Sequence, residues 1–120
     1  MDKPSPDAMA YFSLMRAEMA AYTASLPQIR ADGEAALRRL LPIAQSDTGQ
    51  SRRVAGFLLG LYNGSRFPFD LTDLRALDLG VFRDCMAVLA MDFNLEKEVH
   101  KHFENGSAIW ERLAATWMGG

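Results

Sequence analysis

Residues 54–93 read VAGFLLGLYNGSRFPFDLTDLRALDLGVFRDCMAVLAMDF, and the punctuation of this stretch decides the fold. Val54, Leu58, Leu61 and Tyr62 recur at helical spacing, with Ala55 and Phe57 widening the apolar face. Asn63-Gly64 closes that helix, because both residue types tolerate the left-handed conformation of a last turn. Asp70 marks the restart: its carboxylate is placed to accept from the N–H of Asp73 and to face the positive end of a new helix. Phe69 before that cap and Leu74 inside it stand at staple positions. Leu77, Asp78 and Phe82 repeat the arrangement, so a further helix is expected to start at Asp78, with Phe82, Cys85, Met86, Val88, Leu89 and Phe93 on its inner face. Two short helices meeting at Asp78 is the expected arrangement, and one long bent helix is the alternative.

Upstream, Ser5 is placed to cap a helix with Pro6 at its first position and Asp7 facing the dipole. Tyr11, Met15, Met19, Tyr22 and Leu26 then follow at spacings of three and four, an amphipathic helix over 6–26 whose methionine and tyrosine stripe reads as core. Pro27 marks a boundary, since the residue before a proline resists helical angles. A second helix over 31–46 puts Ala36, Leu37, Leu40, Leu41 and Ala44 inside, with Pro42 kinking or ending it. Asp47 or Thr48 caps the next helix. Downstream, Asn94 is placed to cap a helix through Asn105 with Leu95, Val99 and Phe103 inside. Gly106 stops it, and Ser107 caps a last helix facing inward with Ile109, Trp110, Leu113 and Trp117. No window alternates with period two over more than a few residues, so no sheet is expected. The expected fold is all-α: a compact single-domain bundle of five or six short helices over 1–120, with 1–5 and 118–120 as loose tails.

Composition sets the outer bounds. A chain of 120 residues can bury a core without disulfides or metal, and 49% hydrophobic with 23% charged residues is ordinary for a soluble protein. A net charge of −2 argues for neither a nucleic-acid nor a membrane partner by itself. The single cysteine fits a reducing cytosol, MDKPSPD lacks the order of a signal peptide, and Phe57–Tyr62 is far shorter than a membrane span. A cytoplasmic location is therefore expected.

The phrase FLLGLYNGSRFPFDLTDLRALD, the following DCMAVLAMD and the later EVH resemble a family of small uncharacterised bacterial proteins, over residues 36–106. Genes of that family are often found on integrative or conjugative elements and plasmids. The resemblance implies a bacterial, cytoplasmic setting and an accessory role, and brings no catalytic residues with it.

Several constellations invite chemistry, and each has a simpler structural explanation. Glu96, His100 and Glu104 share one face of the expected helix, but His102 points about 200° away from His100, so the two imidazoles cannot share an ion without another element. Asp70, Asp73, Asp78 and Asp84 could form a carboxylate cluster, but Asp70 and Asp78 are accounted for as caps, and Asp73, like Arg75, as a surface residue. Cys85 has no histidine near it in sequence and falls on an apolar face, the setting of an inert thiol. Gly56 and Gly60 make a small pair suited to a close helix crossing. There is no phosphate-binding glycine loop, nucleophile elbow or paired-cysteine metal motif. No enzyme activity, cofactor or metal is expected.

What remains lies on the surface. Arg38, Arg39, Arg52 and Arg53 flank one inter-helix turn, and residues 30–53 carry five arginines against three carboxylates, a local +2. They are the candidates for contacting nucleic-acid phosphates. Arg66, Phe67 and Phe69 in the aromatic loop, with Trp117 and Met118 near the chain end, are the candidates for a protein interface. The expected function is a non-catalytic protein-interaction or regulatory accessory module of a bacterial mobile element, acting through an unidentified protein partner or as a homodimer. The alternative is a nucleic-acid-binding accessory protein. A polar hollow bringing His100 or Cys85 to carboxylates of a distant helix would instead favour catalysis.

Overall fold

The longest element begins where the sequence places it. Ser5 accepts from the Ala8 N–H at 3.1 Å, Pro6 occupies the first turn, and Asp7 faces the dipole. The computed structural model describes residues 5–119, so of the loose tails expected at 1–5 and 118–120, residues 1–4 and 120 lie outside it. From Pro6 the helix α1 runs without a break to Ala44, 39 residues. At 1.5 Å per residue that is about 58 Å, and it accounts for the long axis of a molecule measuring 60 × 29 × 29 Å.

The boundary expected at Pro27 is therefore absent. The physical reason is orientation: Pro27 is exposed on the side of α1 opposite its apolar row, where the Thr23 carbonyl that loses its hydrogen bond meets water. Pro42 falls within the last turn, so the helix ends at Ala44 soon after it.

Three further α-helices complete the fold: α2 (Ser51–Tyr62), α3 (Leu79–Phe93) and α4 (Gly106–Met118). Single 3-10 stretches at Leu71–Ala76 and Val99–His102 join them, and the described residues contain no strand. The chain is thus all-helical, as expected. One long helix nevertheless replaces two short ones, and the shape is more extended than a compact bundle. Met118, expected in a loose tail, closes α4, and Gly119 follows with φ of 68° as its left-handed cap.

Caps differ in detail from the sequence reading. Asp70 accepts from the backbone N–H and the hydroxyl of Thr72 (2.9 and 2.8 Å), while the Asp73 N–H goes to the Asp70 carbonyl. Asp78 does precede α3, but its carboxylate accepts from Gln50 Nε2 and its N–H donates to Gln50 Oε1, both at 2.7 Å. It ties the start of α3 to the start of α2 instead of capping its own helix. Ser51, fully buried, accepts from the Thr48 N–H at 2.9 Å, so Thr48 and Ser51 share the turn into α2.

The helix expected over 95–105 does not form. Its one fully buried aliphatic residue is Val99, Leu95 is 51% exposed, and helices in proteins depend on packing more than on propensity. Gly106 opens α4 instead of ending a helix, and Asn105 (φ 58°), not Ser107, is the residue before it. Glycine is needed there because a Cβ would lie 1.7 Å from the His100 carbonyl oxygen.

The core gathers Leu37, Leu40, Val54, Leu58, Leu59, Val88 and Leu113 around Trp110, whose indole N–H donates to the Leu58 carbonyl at 3.1 Å. Helix α3 packs antiparallel on the C-terminal half of α1. Arg39 pairs with Asp84, Arg30 pairs with Glu96, and Gly33 sits so close to Met91 that a Cβ would lie 2.5 Å from its Cβ. Gly56 and Gly60 receive the Phe69 ring from the loop, where a helix crossing was expected.

These close approaches give a direct test. Gly106→Ala forces backbone against backbone and is expected to cost about 3 kcal/mol, the upper end for overpacking. Gly80→Ala in α3, where nothing lies within 4 Å of a new Cβ, is expected to be neutral or stabilising by up to about 1 kcal/mol. Denaturant unfolding of both variants checks the pair.

Candidate functional site

One face of α1 carries a continuous apolar row: Tyr11, Met15, Met19, Tyr22, Leu26, Ile29, Gly33, Leu37, Leu40 and Ala44. From Gly33 onward the row is buried, with Leu37, Leu40 and Ala44 at 0% exposure under α2 and α3. Before Leu26 the same face is open: Tyr11 58%, Phe12 49%, Met15 47% and Met19 61%. The sequence reading that this stripe is core is corrected by the structure. The stripe has the chemistry of a core, but α3 ends at Phe93 and no other described element extends alongside the arm.

Phe93 marks the place where cover runs out. It was expected on the inner face of α3 and is 83% exposed, its ring set edge-on to Tyr22 at 6.4 Å and 77°. Met15, Glu18, Met19, Tyr22 and Phe93 line a shallow hollow of about 320 Å³ that is mainly apolar. Contiguous exposed apolar surface of this kind marks a contact site. The sequence reading omits Phe12 and places Phe93 inside. Phe12 belongs to an alternation of four and three residues that a heptad count along α1 finds, whereas the exposure of Phe93 depends on where α3 stops.

The expected interface residues are distributed unevenly. Phe67 is 6% exposed and belongs to the core, under the Arg66 guanidinium, which lies 4.5 Å from its ring centre. Phe69 is half-buried against Phe57. Arg66 forks onto Glu111 at 2.6 and 2.8 Å, and Tyr62 donates to the same carboxylate at 2.7 Å, so the aromatic loop is clamped to α4. Trp117 is half-buried and donates its indole N–H to the Ala44 carbonyl at 2.9 Å, satisfying an orphan acceptor at the end of α1. Met118 stays exposed.

The arginines are mostly engaged. Arg38 binds Glu34 at 2.8 Å and covers the Phe103 ring, Arg39 makes a two-pronged pair with Asp84, and Arg53 stands 3.8 Å from Asp73. Arg52 is exposed. Carboxylates thus interrupt the positive patch.

Polar side chains do meet across the fold, at His102 and not at His100 or Cys85. His102 Nδ1 contacts Glu34 of α1 beside a cleft of about 110 Å³ that Arg30, Asp92 and Glu96 also line. Burial pushes the Glu34 carboxyl up, but hydrogen bonds from His102 and Arg38 and their charge leave it below the ordinary range. Asp92 is raised by burial and by Glu98. The expected Glu96–His100–Glu104 stripe is dismantled: Glu96 turns to Arg30, and His100 packs its ring against Tyr62. Cys85 is fully buried, and burial pushes its thiol up to about 12, far from a reactive thiolate. The Glu34–His102 pair has an acid and a base in contact, in a space with room for a few waters and with no hydroxyl or thiol lining it. The contact fastens the 99–102 turn to α1.

The class is therefore a helical protein with a packed body and a projecting apolar arm. Residues 34–118 match a family of unknown function, DUF7673, and the chain belongs to that family. The match begins at Glu34, beside the first buried residue of α1, so the arm lies N-terminal to it. No curated protein and no solved structure matches the chain. Among the described residues no helix is long and apolar enough to cross a membrane.

The clamp on α4 yields a pH test. Hydrogen bonds from Arg66 and Tyr62 hold the Glu111 carboxyl down from the ordinary 4.5 to about 2. A depressed carboxyl stabilises the fold above its unfolded pKa, and that contribution fades as pH falls. The stability advantage of wild type over Glu111→Gln is thus expected to be constant above pH 4.5, to shrink below it and to vanish by about pH 2. The pair is exposed, so the advantage should also diminish with salt. Urea titrations across pH check both.

Proposed function

We propose that this protein is a non-catalytic interaction module whose working surface is the apolar face of the projecting half of α1. The observation that carries the reading is the exposure of Tyr11, Phe12, Met15 and Met19 on the same face that is fully buried from Ala36 onward. A monomer rarely leaves such a surface open without a use for it. The body anchors the arm: Arg39–Asp84, the Gly33–Met91 approach and the Glu34–His102 contact fix α1 against the rest.

The setting we propose is the bacterial cytoplasm, as an accessory of a mobile genetic element. This setting rests on the resemblance carried by FLLGLYNGSRFPFDLTDLRALD. An arginine-mediated nucleic-acid contact has less support, since Arg38, Arg39 and Arg53 each face a carboxylate.

Met15→Glu/Met19→Glu places two charges in the middle of the exposed row. Both sites are open to solvent and glutamate is a good helix former, so folding stability is expected to change by no more than about 0.5 kcal/mol. Affinity capture from host extract, scored for any protein including an untagged copy of this chain, is expected to lose its specific partner at least tenfold in the variant. Equal capture by both proteins, or capture of nothing by the wild type, overturns the reading.

A further inference from the structure

Along the arm, Ala8, Phe12, Met15, Met19, Tyr22 and Leu26 are separated by four, three, four, three and four residues. That is a heptad seam, and the series reads the same in both directions about Ala17. Such a seam packs best against another helix carrying the same spacing, and we infer that the arm's partner is a second copy of the same arm, packed antiparallel around a two-fold axis beside Ala17. This inference rests on the arm being the working surface. In that arrangement Met15 faces the partner's Met19, Phe12 faces Tyr22, and Ala8 faces Leu26, each contact occurring twice, as an isologous interface requires.

Three further observations fit a second copy better than another occupant. First, the direction of packing continues one already present. Helix α3 lies antiparallel on the buried half of the same face and stops at Phe93. A partner arm lying antiparallel on the open half takes up where α3 ends, with its Phe12 over the hollow between Met19, Tyr22 and Phe93. Second, space permits it. The arm from Pro6 to Ile29 is about 36 Å long, so the two bodies stand at opposite ends of the paired arms. Third, the area suffices. Exposed apolar side chains on each arm and Phe93 offer on the order of 600 Å² per copy, so a pair hides roughly 1,200 Å², the lower bound for a specific stable interface.

Charge argues against the other surfaces an amphipathic helix can meet. Between Pro6 and Ile29 the one cation is Arg16, against Asp7 and Glu18. An anionic lipid surface or a nucleic acid requires the opposite balance.

The test uses the full chain. Sedimentation equilibrium over a hundredfold concentration range is expected to carry the mass from 13.3 kDa to twice that value, while Met15→Glu/Met19→Glu stays monomeric with unchanged far-ultraviolet circular dichroism. Orientation is read by oxidation of cysteine variants, since Cys85 is fully buried and does not compete. A mixture of Met15→Cys and Met19→Cys proteins is expected to form a disulfide-linked heterodimer, and neither protein alone to cross-link. Cross-linking of Met19→Cys with itself overturns the antiparallel arrangement. A wild type that stays monomeric throughout overturns the second copy as partner. If that monomer still captures another protein through its arm, the interaction reading stands without this inference; if it captures nothing, both fall.

Discussion

The structure is governed by a mismatch of lengths. Helix α1 presents one uninterrupted apolar face over 39 residues, and the remainder of the described chain supplies cover for about its C-terminal half. A helix is stabilised in water chiefly by burying such a face. Where α2 and α3 cover it, side chains reach zero exposure and backbones approach closely enough to require Gly33 against Met91. Where cover ends, methionines and aromatics stand in solvent, and the rest of the reading follows from that discontinuity.

Within the body, polar groups are used mainly to close the fold. The two indole N–H groups serve the carbonyls of Leu58 and Ala44, Gln50 joins the starts of α2 and α3, and Glu111 holds the aromatic loop through Arg66 and Tyr62. Even the contact that most resembles reactive machinery, His102 with Glu34, bridges two elements that the 99–102 turn must hold together. The arm, by contrast, carries Met9, Tyr11, Phe12, Leu14, Met15 and Met19 in the open.

Much of this was legible in the sequence, and the exceptions have physical causes. The helix ending at Tyr62, the break near Asp78 and the last helix with Trp110 inside all follow from periodicity and turn residues, which are local. Pro27 misled because a proline's effect depends on which side of the helix it occupies, and on the exposed side the freed carbonyl is satisfied by water. Gly106 misled in the opposite sense: the glycine serves a close approach to the His100 carbonyl, a contact between segments that spacing alone does not reveal. The Met–Tyr stripe was correctly seen as an apolar face. Its exposure depends on where α3 ends, which is a property of the assembled fold, so what covers that face could not be read from the helix itself. The charged run after Asn94 has the periodicity of a helix without enough buried side chains to hold one.

In the arrangement we propose, the open half of the α1 face is stable because another copy covers it. Amide hydrogen exchange across a dilution series addresses it most directly. Protection of residues 12–26 is expected to rise steeply with protein concentration, while residues 54–59 in the body stay equally protected throughout. Arm protection that is the same at every dilution, whether high or absent, would contradict the account.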